Sequence, residues 1–174
     1  MKLFPRPRLL VPALVAALAL PLILATPASA QSAFATRIAG QVLVTALPGQ
    51  NNRINLFSHG TDLVMFDFAG PVIPGPGCSP FNGAVLCGPI STISRVTVRL
   101  GDRDDRYFQD TAVTFPATVD PGPGADLVFA GPRGDTISAR DGAVDDINCG
   151  GGFDVVTADV ADGVAADCEL VRRG

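Results

Sequence analysis

The chain has 174 residues with 6% aromatic residues, no Trp, 19 Gly and 15 Pro. This composition argues against a large layered core and favours many turns and short strands. The charge is unevenly divided: residues 31–100 contain two Asp and four Arg, whereas residues 101–174 contain fourteen Asp, one Glu and six Arg. Such an acidic second half argues against a nucleic-acid partner and favours cations.

Residues 1–30 have the pattern of a secretory signal peptide. Lys2, Arg6 and Arg8 precede a long apolar run, which ends in the small residues of "TPASA". A membrane anchor is the alternative, but two prolines in the run and its small-x-small ending favour cleavage after Ala30. We therefore expect a secreted, extracellular chain. No apolar run of about 18 residues follows the leader, so no membrane segment is expected after cleavage.

Residues 31–100 are predicted to form short strands joined by turns. The segment "RVTVRL" alternates strictly, with Val96, Val98 and Leu100 on one face, and "QVLVTA", "RINLFS" and "DLVMFDF" are similar apolar-rich runs. The stretches between them contain glycine, proline and asparagine, which is typical of turns. No segment holds a helical period, so the sequence predicts an all-β fold with an irregular N-terminal β portion over residues 31–100.

The four cysteines predict two disulfides, because the chain is expected in an oxidising compartment. Three pairings are possible. Nearest-neighbour pairing, Cys78–Cys87 and Cys149–Cys168, keeps one bridge in each half of the chain and is the pairing we predict. Free buried thiols are the alternative, and they are not expected outside the cytosol.

Residues 101–174 contain a repeated triplet of aspartate, spacer and apolar residue. Consecutive triplets are 9, 10, 9 and 8 residues apart. A coil of two strands and two turns, about 18 residues in all, would explain that period. In such a coil each Asp enters a strand, and the apolar residue two positions later faces inward. The triplets begin at Asp126, Asp135, Asp145, Asp154 and Asp162, with an earlier member at Asp105, and the inward residues are Val128, Ile137, Ile147, Val156 and Val164.

Alternate triplets should stack on the same side of such a coil. Asp126 then lies near Asp145 and Asp135 near Asp154; each pair is 19 residues apart, the same separation as the second cysteine pair. Stacked coils are about 4.8 Å apart, so the carboxylates would repel each other unless a cation lies between them. Ca²⁺ is the expected ion, because it takes oxygen ligands from carboxylates and from the carbonyl groups of tight glycine turns.

The phrases "GPGAD" and "CGGGFD" resemble the hemolysin-type calcium-binding repeat, the RTX nonapeptide Gly-Gly-x-Gly-x-Asp-x-apolar-x, over roughly residues 101–168. The segment "ISARDGAVDDINCGGGFDVVTADVADGVAADCELV" is similar to the closing segment of secreted bacterial proteins with degenerate repeats of this kind. The resemblance implies a right-handed parallel β-solenoid, like a β-roll, with Ca²⁺ in its turns. The metal-binding positions that it implies are Asp105, Gly122, Gly124, Asp126, Asp135, Asp145, Gly152 and Asp154.

Some turns depart from the repeat. Arg103 and Arg133 stand where the pattern has glycine, and the turn before Asp145 is one residue longer than the others. A non-glycine residue at positive φ costs about 1 kcal/mol or more, and an arginine there also brings positive charge toward the cation. We therefore expect at most two calcium sites of weak affinity, with Kd of about 10⁻⁴–10⁻³ M.

Catalysis is not expected from this sequence. His59 is the only histidine and lies in a polar turn, so no set of nucleophile, base and orienting group can be named. The sequence instead predicts a secreted, non-catalytic calcium-binding β-solenoid. The alternative is a metal-independent module, stapled by its disulfides, with a structural or adhesive role at a cell surface.

Overall fold

The computed structural model describes residues 31–174, which form two eight-stranded sheets, here named sheet A and sheet B. The predicted signal peptide lies outside the described residues. Within residues 31–174 the strands are accompanied by one short 3₁₀ turn, Ile90–Thr92, and the all-β prediction is confirmed. No helix in this range is long and apolar enough to cross a membrane.

The strands are numbered in chain order. Sheet A contains β1 Ala33–Ile38, β2 Gln41–Ala46, β5 Val72–Pro74, β8 Arg95–Arg99, β10 Ala117–Asp120, β12 Thr136–Ala139, β14 Val155–Ala158 and β16 Leu170–Arg173. Sheet B contains β3 Arg53–His59, β4 Asp62–Asp67, β6 Ser79–Phe81, β7 Ala84–Pro89, β9 Arg106–Gln109, β11 Leu127–Phe129, β13 Asp146–Asn148 and β15 Gly163–Val164.

From β8 onward, consecutive strands alternate between the two sheets. Each of these strands pairs in parallel with the strand two positions later in the chain, from β8 to β16 in sheet A and from β9 to β15 in sheet B. One passage of the chain through both sheets therefore adds one strand to each. This is the connectivity that the spacing of the aspartates predicts.

The N-terminal portion joins the same two sheets through antiparallel hairpins. Strand β1 pairs with β2, and β4 pairs with both β3 and β7, in each case antiparallel. Strands β2 and β3 then pair in parallel with β8 and β9. Both sheets are consequently mixed, and both continue across residue 100 without a break.

The core lies between the sheets and consists of stacked aliphatic side chains. In parallel pairing, inward-facing residues of successive strands come to lie about 4.8 Å apart, so a period of two in each strand produces ladders. Burying each such side chain contributes about 1.5–3 kcal/mol. One ladder contains Val98, Val119, Ile137 and Val156, and the other Ile54, Tyr107, Val128 and Ile147; all are fully buried. Val164 is only partly buried, because β15 is the last strand of sheet B.

Both predicted disulfides are present. Cys78–Cys87 closes the loop that contains β6, and Cys149–Cys168 joins positions 19 residues apart with their Cα atoms separated by 5.3 Å. Parallel stacking explains the second bridge, because residues one passage apart along the chain become neighbours. The bridge fastens the segment before β16 to the end of β13.

The turns before the strands stack as closely as the strands themselves. Gly122 and Gly124 have φ of 81° and 151°, in the region that favours glycine. A Cβ atom added to Gly124 would overlap the backbone carbonyl of Arg103 in the neighbouring turn. Arg103 itself has φ of 79°, so this arginine does occupy a left-handed position, whereas Arg133 is not among the residues with positive φ.

This stacking predicts different costs for two glycine substitutions. Gly101 also has positive φ, 105°, but a Cβ atom there meets nothing within 4 Å. Gly101→Ala should therefore cost only the backbone strain, about 1–2 kcal/mol. Gly124→Ala should cost at least about 1 kcal/mol more, because the methyl group also forces the turns apart. Urea unfolding of both variants checks this, and equal losses would contradict the close contact between turns.

Candidate metal centre

Seven acidic residues stand directly before strands of the two sheets. Each precedes by two positions a residue that faces inward, so the extended backbone directs its side chain toward the interior as well. Six of the seven are buried, whereas Glu169, before the outermost strand of sheet A, is exposed. The first ladder, before strands of sheet B, contains Asp105, Asp126, Asp145 and Asp162; the second ladder, before strands of sheet A, contains Asp135, Asp154 and Glu169. The five aspartates from Asp105 to Asp154 are at most 3% exposed.

Each carboxylate of the first ladder accepts a hydrogen bond from the backbone of the preceding rung. The N–H of Asp105 donates to Oδ1 of Asp126 at 2.7 Å, and the N–H of Asp126 donates to Oδ1 of Asp145 at 2.9 Å. Asp162 receives the N–H of Asp145 at 3.1 Å, and Asp105 receives that of Asn52 at 2.6 Å. The ladder therefore begins at Asn52, in the N-terminal portion, and one oxygen of each carboxylate holds adjacent turns together.

The second ladder repeats the same arrangement. The N–H of Ala117 donates to Oδ1 of Asp135, and the N–H of Asp135 donates to Oδ1 of Asp154, each at 2.6 Å. Glu169 receives the N–H of Asp154 at 2.9 Å. The other oxygen of Asp135 is also satisfied, because the N–H of Gly131 donates to it at 2.9 Å.

In the first ladder, the second oxygens of Asp105, Asp126 and Asp145 have no such partner, whereas that of Asp162 accepts the N–H of Asp159 at 2.6 Å. Among the described residues, five buried side-chain oxygens lack any hydrogen bond: Asn52 Oδ1, Asp105 Oδ2, Asp126 Oδ2, Asp145 Oδ2 and Asp154 Oδ2. Four of the five belong to consecutive rungs of the first ladder. Leaving a buried acceptor unpaired costs about 1–3 kcal/mol, and more for a charged group, so a file of them calls for a positively charged partner.

The pKa values of the buried ladder carboxyls are all raised. The pKa of Asp105 is raised to about 8 and that of Asp126 to about 7, chiefly by burial; one backbone hydrogen bond lowers each pKa, and neighbouring carboxylates contribute to the rise. Burial likewise raises the pKa of Asp135 and of Asp145 to about 6, and it raises the pKa of Asp154. The interior therefore disfavours a bare negative charge and favours a proton or a cation beside each carboxylate.

Asp126 and Asp145 meet a third carboxylate, that of Asp141. One oxygen from each of the three lies within 4.8 Å of the others. Asp141 is exposed and lies in the turn before β13, where it receives the N–H of Gly124 at 3.0 Å and the N–H of Ala143 at 2.7 Å. Two buried carboxylates and one at the surface thus face each other between two stacked turns, and we take this group as the candidate cation site.

The structure brings together only part of the predicted site. Asp126 and Asp145 are in the cluster, and Gly122 and Gly124 form the turn above it, while Asp105 is the next rung of the same ladder. Asp135 and Asp154 belong to the second ladder, before strands of the other sheet; Gly152, with φ of 127°, lies in the turn that leads to Asp154. Those residues could serve only a separate site.

Sequence reasoning missed Asp141 and Asn52. Asp141 does not belong to an Asp-x-apolar triplet, although the longer turn "RDGAVD" already contained a second carboxylate. Asn52 precedes β3 as the aspartates precede their strands, but its side chain is an amide and does not match the aspartate repeat.

A second acidic group, formed by Cys149, Asp167 and Cys168, has a different character. Its two sulfur atoms are joined in a disulfide, so they offer no thiolate to a metal. Asp167 instead accepts hydrogen bonds from the backbone of Cys149 and of Gly150, at 3.3 and 3.0 Å.

Comparison with known proteins gives no relative: no family model, no curated protein and no solved structure matches this chain. The calcium-binding repeat therefore stays a resemblance at the level of the motif, and the function is argued from the site.

Proposed function

We propose that this protein is a secreted, non-catalytic calcium-binding β-solenoid, in which Ca²⁺ lies between stacked turns of the first ladder. The observation that carries the proposal is the cluster of Asp126, Asp141 and Asp145, in which two buried carboxylates each keep one oxygen without a hydrogen bond. A cation there would satisfy both oxygens and offset the repulsion between three carboxylates.

The strand order supports the solenoid part of the proposal. Strands that alternate between two sheets and pair in parallel with the strand two positions later form a continuous coil. Connections between parallel strands of one sheet are right-handed in about 98% of cases, so we expect a right-handed coil. That handedness agrees with what the resemblance to the RTX repeat implies.

The donor set favours calcium among the common metal ions. The cluster offers only carboxylate oxygens, and it lacks the imidazole and thiolate ligands that zinc prefers. Ca²⁺ accepts an irregular shell of six to eight oxygens and can complete it with backbone carbonyls and water. Mg²⁺ needs a near-ideal octahedron, which a single exposed Asp and two fixed buried ones do not favour.

The alternative is a metal-independent module with a structural or adhesive role at a cell surface. The Oδ1 atoms of the ladders favour this alternative, because they accept hydrogen bonds from the backbone of adjacent turns and so hold the turns together without any ion. The Cys149–Cys168 bridge adds a covalent link at the same end of the chain. Under this alternative, reductant should destabilise the fold and chelator should have no effect.

Replacing Asp141 tests the calcium site without removing a buried ladder residue. We expect Asp141→Asn to weaken Ca²⁺ binding at least about tenfold, a change of 1.4 kcal/mol, because one of three ligand charges is lost. Isothermal titration of residues 31–174 with CaCl₂ measures the affinity, and the thermal midpoint in Ca²⁺ and in EDTA measures the linked stability. Asp120→Asn is the matched control, since Asp120 is an exposed aspartate of sheet A outside both ladders.

Two results would decide against calcium. One is the absence of binding heat, of added strand signal in circular dichroism and of any rise in the thermal midpoint at millimolar Ca²⁺. The other is binding that Asp141→Asn and Asp120→Asn reduce equally, which would indicate general attraction of cations to an acidic surface.

A further inference from the structure

Most of the phenylalanines of this chain are outside its core. Residues 31–174 contain nine, and only Phe115 is buried among the core residues. Six line two neighbouring grooves on sheet B: Phe57, Phe66, Phe68, Phe81, Phe108 and Phe129. Phe68, Phe108 and Phe129 are 70%, 44% and 40% exposed, respectively. Single exposed aromatic side chains are common on protein surfaces, whereas a contiguous exposed aromatic patch is typical of a binding site.

The strand register places these side chains on the side of sheet B that faces away from the core. Phe108 lies between buried Tyr107 and buried Gln109, and Phe129 follows buried Val128, so both point outward. The two rings are neighbours on adjacent strands, with centroids 6.4 Å apart and planes tilted by 60°. On the N-terminal side, Phe66 contacts both Phe57 and Phe68, with centroids 5.4 and 4.7 Å apart.

In the strand register, Phe129, Phe108, Asn55 and Phe66 lie side by side on four adjacent strands. Asn55 therefore leaves a gap in this row of rings, because Phe108 and Phe66 are two strand spacings, about 10 Å, apart. Grooves of about 260 and 430 Å³ lie along this surface, and Phe68 borders both. An alkyl chain lying in these grooves would contact the phenylalanine rings that line them.

Two arginines stand at one end of the first groove. Arg53 and Arg106 are in register on adjacent strands, both are exposed, and both line the groove. Like charges on adjacent strands destabilise a sheet, so this pair has a cost that an anion would remove. Guanidinium groups bind carboxylate and phosphate through two parallel hydrogen bonds. The surface thus combines an anion-binding end with an aromatic channel, on a chain whose net charge is −4.

We propose that this surface binds an anionic single-chain amphiphile, with its alkyl chain against the phenylalanines and its carboxylate or phosphate on Arg53 and Arg106. The site lies on the outer side of sheet B, whereas the aspartate ladders lie between the sheets. Binding of the amphiphile is therefore independent of calcium, so an experiment can disprove calcium binding or amphiphile binding without affecting the other proposal.

Titration calorimetry with two anions and one cation of equal chain length tests the proposal. Laurate, dodecyl phosphate and dodecyltrimethylammonium are added to residues 31–174 below their micellar concentrations, in EDTA so that Ca²⁺ cannot precipitate either anion. Both anions should bind, and the cation should bind at least about tenfold more weakly. Comparing the two anions shows whether carboxylate or phosphate is preferred.

Variants separate the two parts of the surface. The double substitution Arg53→Gln with Arg106→Gln should weaken the binding of both anions at least about tenfold. Phe108→Ser should weaken the binding of all three amphiphiles, irrespective of head-group charge. Arg99→Gln is the matched control, because Arg99 is an exposed arginine on the outer side of sheet A. Circular dichroism shows whether each variant keeps its strands.

Three outcomes would overturn the proposal. They are equal binding of the cationic and anionic chains, undiminished binding by the folded double arginine variant, and binding to anionic vesicles without binding to the monomeric amphiphiles. The last of these would make the surface a membrane-contact face instead. Loss of calcium binding alone, with amphiphile binding intact, would leave this site standing.

Discussion

Without divalent cations, residues 31–174 should be less stable at pH 8 than at pH 5. Burial raises the pKa of Asp105 to about 8 and that of Asp126 to about 7, from an ordinary value of 3.8. The folded chain therefore holds protons that the unfolded chain releases. Their contribution to stability is complete below the unfolded pKa and is lost as the pH rises through the folded one.

The expected loss is at least about 2 kcal/mol, since each unit of pKa difference corresponds to about 1.4 kcal/mol and the neighbouring carboxyls titrate together. For a domain of this size the thermal midpoint in EDTA should fall by roughly 5–10 °C between pH 5 and pH 8. Urea unfolding at fixed ionic strength measures the same difference as a free energy.

Calcium should remove much of this loss at pH 8. Ten millimolar Ca²⁺ acting on a site with Kd of about 1 mM adds about 1.4 kcal/mol. Asp105→Asn is the control for the titration, because its amide oxygen can still accept the N–H of Asn52 while the ionisable group is gone. Stability that rises from pH 5 to pH 8 in EDTA, or an undiminished slope in Asp105→Asn, would contradict the assignment.

Loss of the Cys149–Cys168 bridge should be the other large effect. The bridge spans 19 residues, and closing a loop of that length stabilises a fold by about 3 kcal/mol. The double substitution Cys149→Ala with Cys168→Ala should therefore lower the free energy of unfolding by about 3 kcal/mol. Alanine avoids leaving a hydroxyl group at the buried position of Cys149.

The loss should be concentrated at the C-terminal end of the sheets. Strands β15 and β16 are the outermost strands there, so each is paired on one side only. Hydrogen exchange of their amides should accelerate more than that of β8 and β9, which lie inside the sheets. Cys78→Ala with Cys87→Ala is the comparison, since its effect should appear around β6 and β7. A loss under about 1 kcal/mol for the Cys149–Cys168 variant would show that stacking alone holds this end.

The spacing of the triplets was enough to predict which side chains of the second half face the core. A repeat of Asp, spacer and apolar residue needs the Asp to face the interior together with the residue two positions later, and Val128, Ile137, Ile147 and Val156 are all buried as this requires. The same period placed Cys149 beside Cys168. Local rules suffice here, because strand alternation and turn length are properties of consecutive residues.

The candidate site was predictable only in part. Asp126 and Asp145 followed from the period, but Asp141 reaches them from inside a turn whose path depends on the neighbouring turn. The bonding of each Oδ1 to a backbone N–H could not be read from the sequence either. It requires the rungs to be in register, and register is a property of the assembled sheets.

The sequence by itself determined the strand character, the period of the inward-facing residues, the disulfide pairs and the aspartates of the ladders, because each depends on composition or on spacing along the chain. Tertiary structure alone decided which oxygen of each carboxylate is left without a partner, and that the N-terminal hairpins extend both sheets. It also decided that Phe108 and Phe129, which the triplets already direct outward, share one surface with Phe66 and Phe68. That proximity depends on the pairing of β3 with both β4 and β9, which spacing along the chain does not give.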